Sequence, residues 1–164
     1  MSPRAAVVIG LFSAATGVLI ILAGLGVLRA EPSPDGPAPP WVVVCTGLMF
    51  VFVGAAAIVG FAVAGGSGPD GDLPAGTPFT VRLIQYFLGL GTVGTLTAVF
   101  TWIAFGPGER HFSTTFVLPF MVHRGTSGDT SGRALFGIAA VAFWLFLVSF
   151  AVYGARRFVR DIRK

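Results

Sequence analysis

The chain has 164 residues, 54% of them apolar and 11% charged, with a formal net charge of +4. Ordinary soluble domains carry about 25% charged residues, so this composition argues for a bilayer rather than water. The lone Cys45 excludes an intrachain disulfide and a thiol relay, and five of the eleven Lys/Arg crowd the last nine residues, beside an apolar run, where anionic headgroups and not nucleic acid are the expected partner.

Met1–Arg4 is a short polar start, followed by Ala5–Leu28, 24 residues without a charge. About 20 such residues span the hydrocarbon core. The run is too long for the apolar part of a signal peptide, and Leu28-Arg29-Ala30 is a poor cleavage site, so a retained helix is expected. At 100° per residue Gly10, Ser13, Ala14, Gly17 and Gly24 share one side. Small residues let helix backbones approach closely in lipid, which makes this a packing face. Arg29–Pro40 holds five prolines, which deny helical and ladder hydrogen bonds and predict a short stiff loop.

Trp41–Ala64 is the second uncharged run, opening on a tryptophan suited to the membrane interface. Gly47, Gly54 and Phe61 recur on it at heptad steps. Gly65–Pro78 reads as a flexible turn. Its Asp70 and Asp72 lack the closing Glu of a calcium loop, so no cation site is expected there.

Phe79–Phe105 is the third span. Arg82, Gln85, Gly89 and Thr92 fall on one semi-polar face, with Gly91, Gly94, Ala98 and Thr101 opposite. Arg82 lies close enough to the helix start to snorkel as an interfacial anchor. The threonine hydroxyls are expected to bond back to carbonyls of their own helix. Arg82, Gln85 and Thr92 form the candidate intramembrane polar face.

Gly106–Arg133 is the one substantial loop. It carries both histidines, His111 and His123, together with Glu109, Arg110 and Arg124, and these five form the candidate outer polar cluster. Its apolar middle, His111–Val122, is interrupted by Pro119 and too short to span. The β-branched and aromatic content of Phe112–Leu118 favours extended structure. The segment is expected to form an ordered cap on the outer helix ends, open to proteases at Arg124 or Arg133. Glu109, His111 and His123 offer three metal ligands at a spacing no zinc site uses; a solvated loop with Glu109 paired to Arg110 or Arg124 is the expected state. Ser113, Thr114 and His111 match no catalytic pattern.

Ala134–Tyr153 is the fourth span and Gly154–Lys164 a basic tail. Lys and Arg accumulate on the cytoplasmic side, so both termini are expected inside and the long loop outside, in a bacterial inner (cell) membrane. The spans hold no Asp, Glu, Lys or His, which speaks against cation-coupled transport. The expected fold is an all-α integral membrane protein of four transmembrane helices with an outer loop cap between helices 3 and 4. The expected role is a non-catalytic subunit or scaffold without cofactor or metal. It would pack with itself or a partner through Gly10, Gly17, Gly24, Gly47, Gly54, Gly91 and Gly94. The alternative is an oligomeric channel or carrier for a small anion or neutral solute, in which Arg82, Gln85 and Thr92 face water.

Overall fold

The structure, a computed structural model, describes residues 3–28, 39–63, 74, 76–107, 112–118, 121–127 and 129–162. Four helices form: α1 (Pro3–Gly24), α2 (Pro40–Ile58), α3 (Phe79–Phe105) and α4 (Asp129–Ile162). All four are long and apolar enough to cross a membrane. Between α3 and α4 lie two strands, β1 (Phe112–Leu118) and β2 (Met121–Ser127), paired antiparallel with Phe112 opposite Ser127 and Leu118 opposite Met121.

The helix ends follow from glycine and proline. α1 stops four residues short of the expected Leu28, because Gly26 takes φ 74°, a conformation that only glycine adopts freely. The Gly26 amide then donates to the Ala23 carbonyl at 3.0 Å and the Val27 amide to the Leu22 carbonyl at 2.9 Å, the bond pair of a Schellman stop. α2 begins with Pro40 at its first turn, where a missing N–H costs nothing. It loosens into a π-helical turn over Val59–Val63. α3 starts behind Pro78 and ends at Gly106, as the sequence predicts. α4 is longer than its apolar core: it takes in five residues before Ala134 and absorbs the basic segment as far as Ile162. Arginine is a good helix former, so the end of hydrophobicity does not end the helix.

Each helix packs on its neighbour in sequence, α1 on α2, α2 on α3 and α3 on α4. Among the described residues no other helix pair packs along its length. The α1–α2 contact is a glycine seam. A Cβ added to Gly10 would stand 2.8 Å from the Gly54 carbonyl oxygen, and one added to Gly17 2.5 Å from that of Gly47. The reverse additions at Gly47 and Gly54 would meet the carbonyls of Gly17 and Gly10. Opposed glycines at heptad steps thus bring the two backbones into direct contact, the arrangement in which Cα–H···O contacts recur between helices. Ser13 adds a cross-helix bond, its hydroxyl donating to the Phe50 carbonyl at 2.9 Å. Gly24 closes the seam against Val43 and Val44.

α2 meets α3 where Phe52 covers Gly91. α3 meets α4 through aromatic rings: Phe100 lies 5.5 Å from Phe136 and 5.1 Å from Phe143, and Tyr86 stacks on Phe150 at 5.3 Å.

Two expectations need correction. Gly94 does not pack on a neighbouring helix of the same chain: a Cβ there would meet nothing within 4 Å. The loop between α3 and α4 does hold extended structure at Phe112–Leu118, but it is a hairpin, and among the described residues it packs appreciably on α4 alone, through β2. Arg124 lies within β2 and Arg133 within α4.

Candidate functional site

The candidate polar face on α3 is dispersed by the structure. Arg82, near the start of α3, folds back and donates from Nε to the Thr77 carbonyl at 3.1 Å. The nearly buried Thr77 in turn donates its hydroxyl to the Pro74 carbonyl at 2.8 Å. Arg82 therefore fastens the loop entering α3. Gln85 donates from Nε2 to the Ala56 carbonyl at 3.2 Å, across the α2–α3 contact and just before the π-helical turn. Its Oε1 is buried without a partner. Thr92 donates to the Leu88 carbonyl of its own helix at 2.9 Å. Thr95, Thr97 and Thr101 also bond back to their own helix, as expected of hydroxyls in apolar helices. The three residues do not converge on a common space.

Of the candidate outer cluster, Glu109, Arg110 and His111 lie outside the described residues, as do Asp70 and Asp72. His123 and Arg124 are neighbours in β2, their backbones opposite Phe116 and Thr115. Among the described residues no three His, Cys, Asp or Glu side chains gather at metal-binding distance.

One concave feature among the described residues lies elsewhere, at the hairpin end of the helices. An open cleft of 410 Å3 is walled by Trp41 from the start of α2, Trp102 from the end of α3 and Trp144 from α4. Ala98 and Thr101 form its floor, and Phe105 and Gly106 its outer edge. Trp41 and Trp102 meet edge to face, 6.2 Å apart at 84°, a favoured geometry for aromatic pairs. Gly106 is required where it stands, because a Cβ there would strike the Trp102 indole and its carbonyl. The Gly106 amide caps α3 by donating to the Trp102 carbonyl at 2.7 Å.

Polar groups around the cleft are turned inward. Trp144 donates from Nε1 to the Thr101 hydroxyl at 3.2 Å, and Thr101 donates onward to the Thr97 carbonyl at 2.7 Å. The Thr101 hydroxyl is thus engaged as acceptor and as donor, and the lining presents carbon to its occupant. At the rim, Arg133 donates from Nη1 to the Gly106 carbonyl at 3.0 Å. That bond ties the start of α4 to the end of α3 and sets a guanidinium beside the cleft. The cleft has the size of a small-molecule site and suits an apolar group. Its lining contains no carboxylate, imidazole or thiol.

The sequence reading placed Trp41 at a membrane interface and gave Trp102 and Trp144 no role. A partial signal was available: Trp41 opens the second span and Trp102 nearly closes the third, which brings these two to one level once the helices alternate in direction, whereas Trp144 sits at mid-span and gave no such signal. Tyr86 was also missed. Its hydroxyl donates to the Ala151 carbonyl at 3.0 Å while its ring fills the space at Gly154. No protein-family model, no curated protein and no solved structure matches the chain.

Proposed function

We propose that this chain is a four-span membrane protein acting as a non-catalytic subunit or scaffold, in contact with a second copy of itself or another membrane protein. The observation that carries this reading is the use made of its polar side chains. Ser13, Gln85, Tyr86 and the helix threonines bond to backbone within or between helices; they hold the fold together and do not meet around a reacting or conducted species. The π-helical turn and the unpartnered Gln85 Oε1 lie at a helix contact and add no second polar group to it.

Association would use outer faces, since the glycines of α1 and α2 are already in contact with each other. α1 and α4 each have one helix neighbour. Both expose large apolar side chains, among them Phe12 at 75% and Ile138 at 73%. Apolar surface on this scale belongs against lipid or protein. In the orientation proposed, both termini are cytoplasmic, the hairpin is outside, and Arg156, Arg157 and Arg160 on the end of α4 meet anionic headgroups, each worth about 1 kcal/mol. Purification in mild detergent with mass determination tests the role. The expected result is a homo-oligomer or a stoichiometric membrane partner. A monomer that retains no partner contradicts it.

A further inference from the structure

The hairpin between α3 and α4 is a two-stranded sheet, so among the described residues each strand pairs along one side only. A lone hairpin is marginally stable in water, and further strands or a packed face make up the difference. Its two edges are not alike. β1 reads FSTTFVL, seven residues without a charge, a proline or a glycine, and so has none of the devices that keep an edge strand from pairing with another chain. β2 reads MVHRGTS, with Arg124 at its centre.

The register fixes what each edge offers. Leu118 stands opposite Met121 with two residues between them, and the pair closing so short a connection exchanges ladder hydrogen bonds. Bonded pairs then alternate along the hairpin. Ser113, Thr115 and Val117 therefore turn their backbone N–H and C=O groups away from β2, as Val122, Arg124 and Thr126 turn theirs away from β1. Thr115 is the middle residue of β1. Two copies of β1 laid antiparallel over their full length place Thr115 opposite Thr115, and every outward backbone group meets another. Thr114 then stands opposite Phe116, a β-branched residue against an aromatic one, a pairing that stabilises antiparallel strands. The same operation on β2 sets Arg124 against Arg124, and like charges directly opposite are destabilising.

The membrane imposes a further condition. Two copies inserted the same way round are related by a two-fold axis along the membrane normal. The axis relating antiparallel neighbours in a sheet stands perpendicular to that sheet. The two coincide when the hairpin lies flat on the membrane, and its alternation suits that placement: by register Phe112, Phe116, Leu118 and Met121 share one face, and Ser113, Thr115, Arg124 and Thr126 the other.

We infer that the β1 strands of two copies pair antiparallel about Thr115, joining their hairpins into one four-stranded sheet on the membrane surface. The inference rests on the association proposed above and deepens it by naming the surface and a second copy as the partner.

Single cysteines test it in the full-length protein with Cys45 replaced by Ala, reconstituted in lipid vesicles and treated with a mild oxidant. Opposed residues of such a ladder lie about 5.5 Å apart between Cα atoms, within disulfide range. The two Ser113 residues of the dimer, and the two Arg124 residues, would each lie about 14 Å apart, beyond it. Thr115→Cys should therefore close into a covalent dimer, whereas Ser113→Cys and Arg124→Cys stay monomeric on gels. Thr115→Arg, which opposes two like charges, should weaken association about threefold. Mass determination of the same protein in mild detergent separates the failures. A monomer that retains no partner overturns the association and this interface with it. An oligomer in which Thr115→Cys closes no faster than Ser113→Cys, or in which Arg124→Cys closes in its place, overturns the interface alone. So does a Thr115→Arg protein that associates as the parent does. A different membrane protein bound in place of the second copy overturns the interface and leaves the subunit role standing.

Discussion

Gly17 and Gly47 face each other across the α1–α2 contact so closely that the carbonyl of each stands where the other's Cβ would be. In lipid there is no hydrophobic drive between helices, and close van der Waals packing takes its place. Leucine at either position must push the backbones apart, and overpacking of this kind costs about 1–3 kcal/mol. Gly17→Leu and Gly47→Leu should therefore melt earlier in detergent. Gly94→Leu, directed into open space, should melt as the parent does. Equal behaviour of Gly17→Leu and Gly94→Leu would remove the distinction between the seam and the open face.

Tyr86 and Gly154 form the matching lock between α3 and α4. Tyr86→Phe deletes one interhelical hydrogen bond, worth about 0.6 kcal/mol on average in membrane proteins, and keeps the ring. Gly154→Ala leaves the bond's partners in place but puts a methyl into the ring, at the overpacking cost of about 1–3 kcal/mol. Melting in detergent should rank Gly154→Ala as the more damaging. The opposite ranking would mean that the hydroxyl, and not the fit of the ring, holds this end of the pair.

The helices were legible because uncharged runs of this length have few other uses. The third span matched at both ends, since Pro78 and Gly106 punctuate it. The glycines at heptad steps on α1 and α2 were legible as a packing face, but not that the two faces would meet each other inside one chain. Gly94 was not legible as different from the other glycines, because a small residue on a helix faces open space as readily as it lines a contact within the chain, and only the places of the other helices decide which. The last turns of α4 were read as a tail because hydropathy measures burial in lipid, whereas Arg156, Arg157 and Arg160 continue the helix by propensity and backbone bonding. The gathering of Trp41, Trp102 and Trp144 depends on two helix pairings at once, α2 on α3 and α3 on α4.

The hairpin register places Ser113 opposite Thr126. Directly paired residues on antiparallel strands have Cα atoms about 4.5–5.5 Å apart, within disulfide range. With Cys45 replaced by Ala, Ser113→Cys/Thr126→Cys should oxidise to an internal disulfide, detected as loss of two reactive thiols. Thr114→Cys/Thr126→Cys should not. Efficient closure of the second pair instead would shift the register by one residue.

The basic end of α4 is expected to fix orientation. Neutral replacement of Arg156, Arg157, Arg160, Arg163 and Lys164 removes five of the eleven Lys/Arg and should give mixed orientations in a membrane, read by accessibility of a C-terminal tag. A tag that stays on one side in every molecule would leave these residues as solubilising charge.

The proposed role requires that the chain cross a membrane four times. The direct measurement is sidedness: single cysteines introduced at Ser127 and Lys164 in a Cys45→Ala background, labelled in intact cells by an impermeant thiol reagent. Four crossings predict label at Ser127 and none at Lys164 until the membrane is opened. Both positions reacting alike in sealed cells would contradict the account.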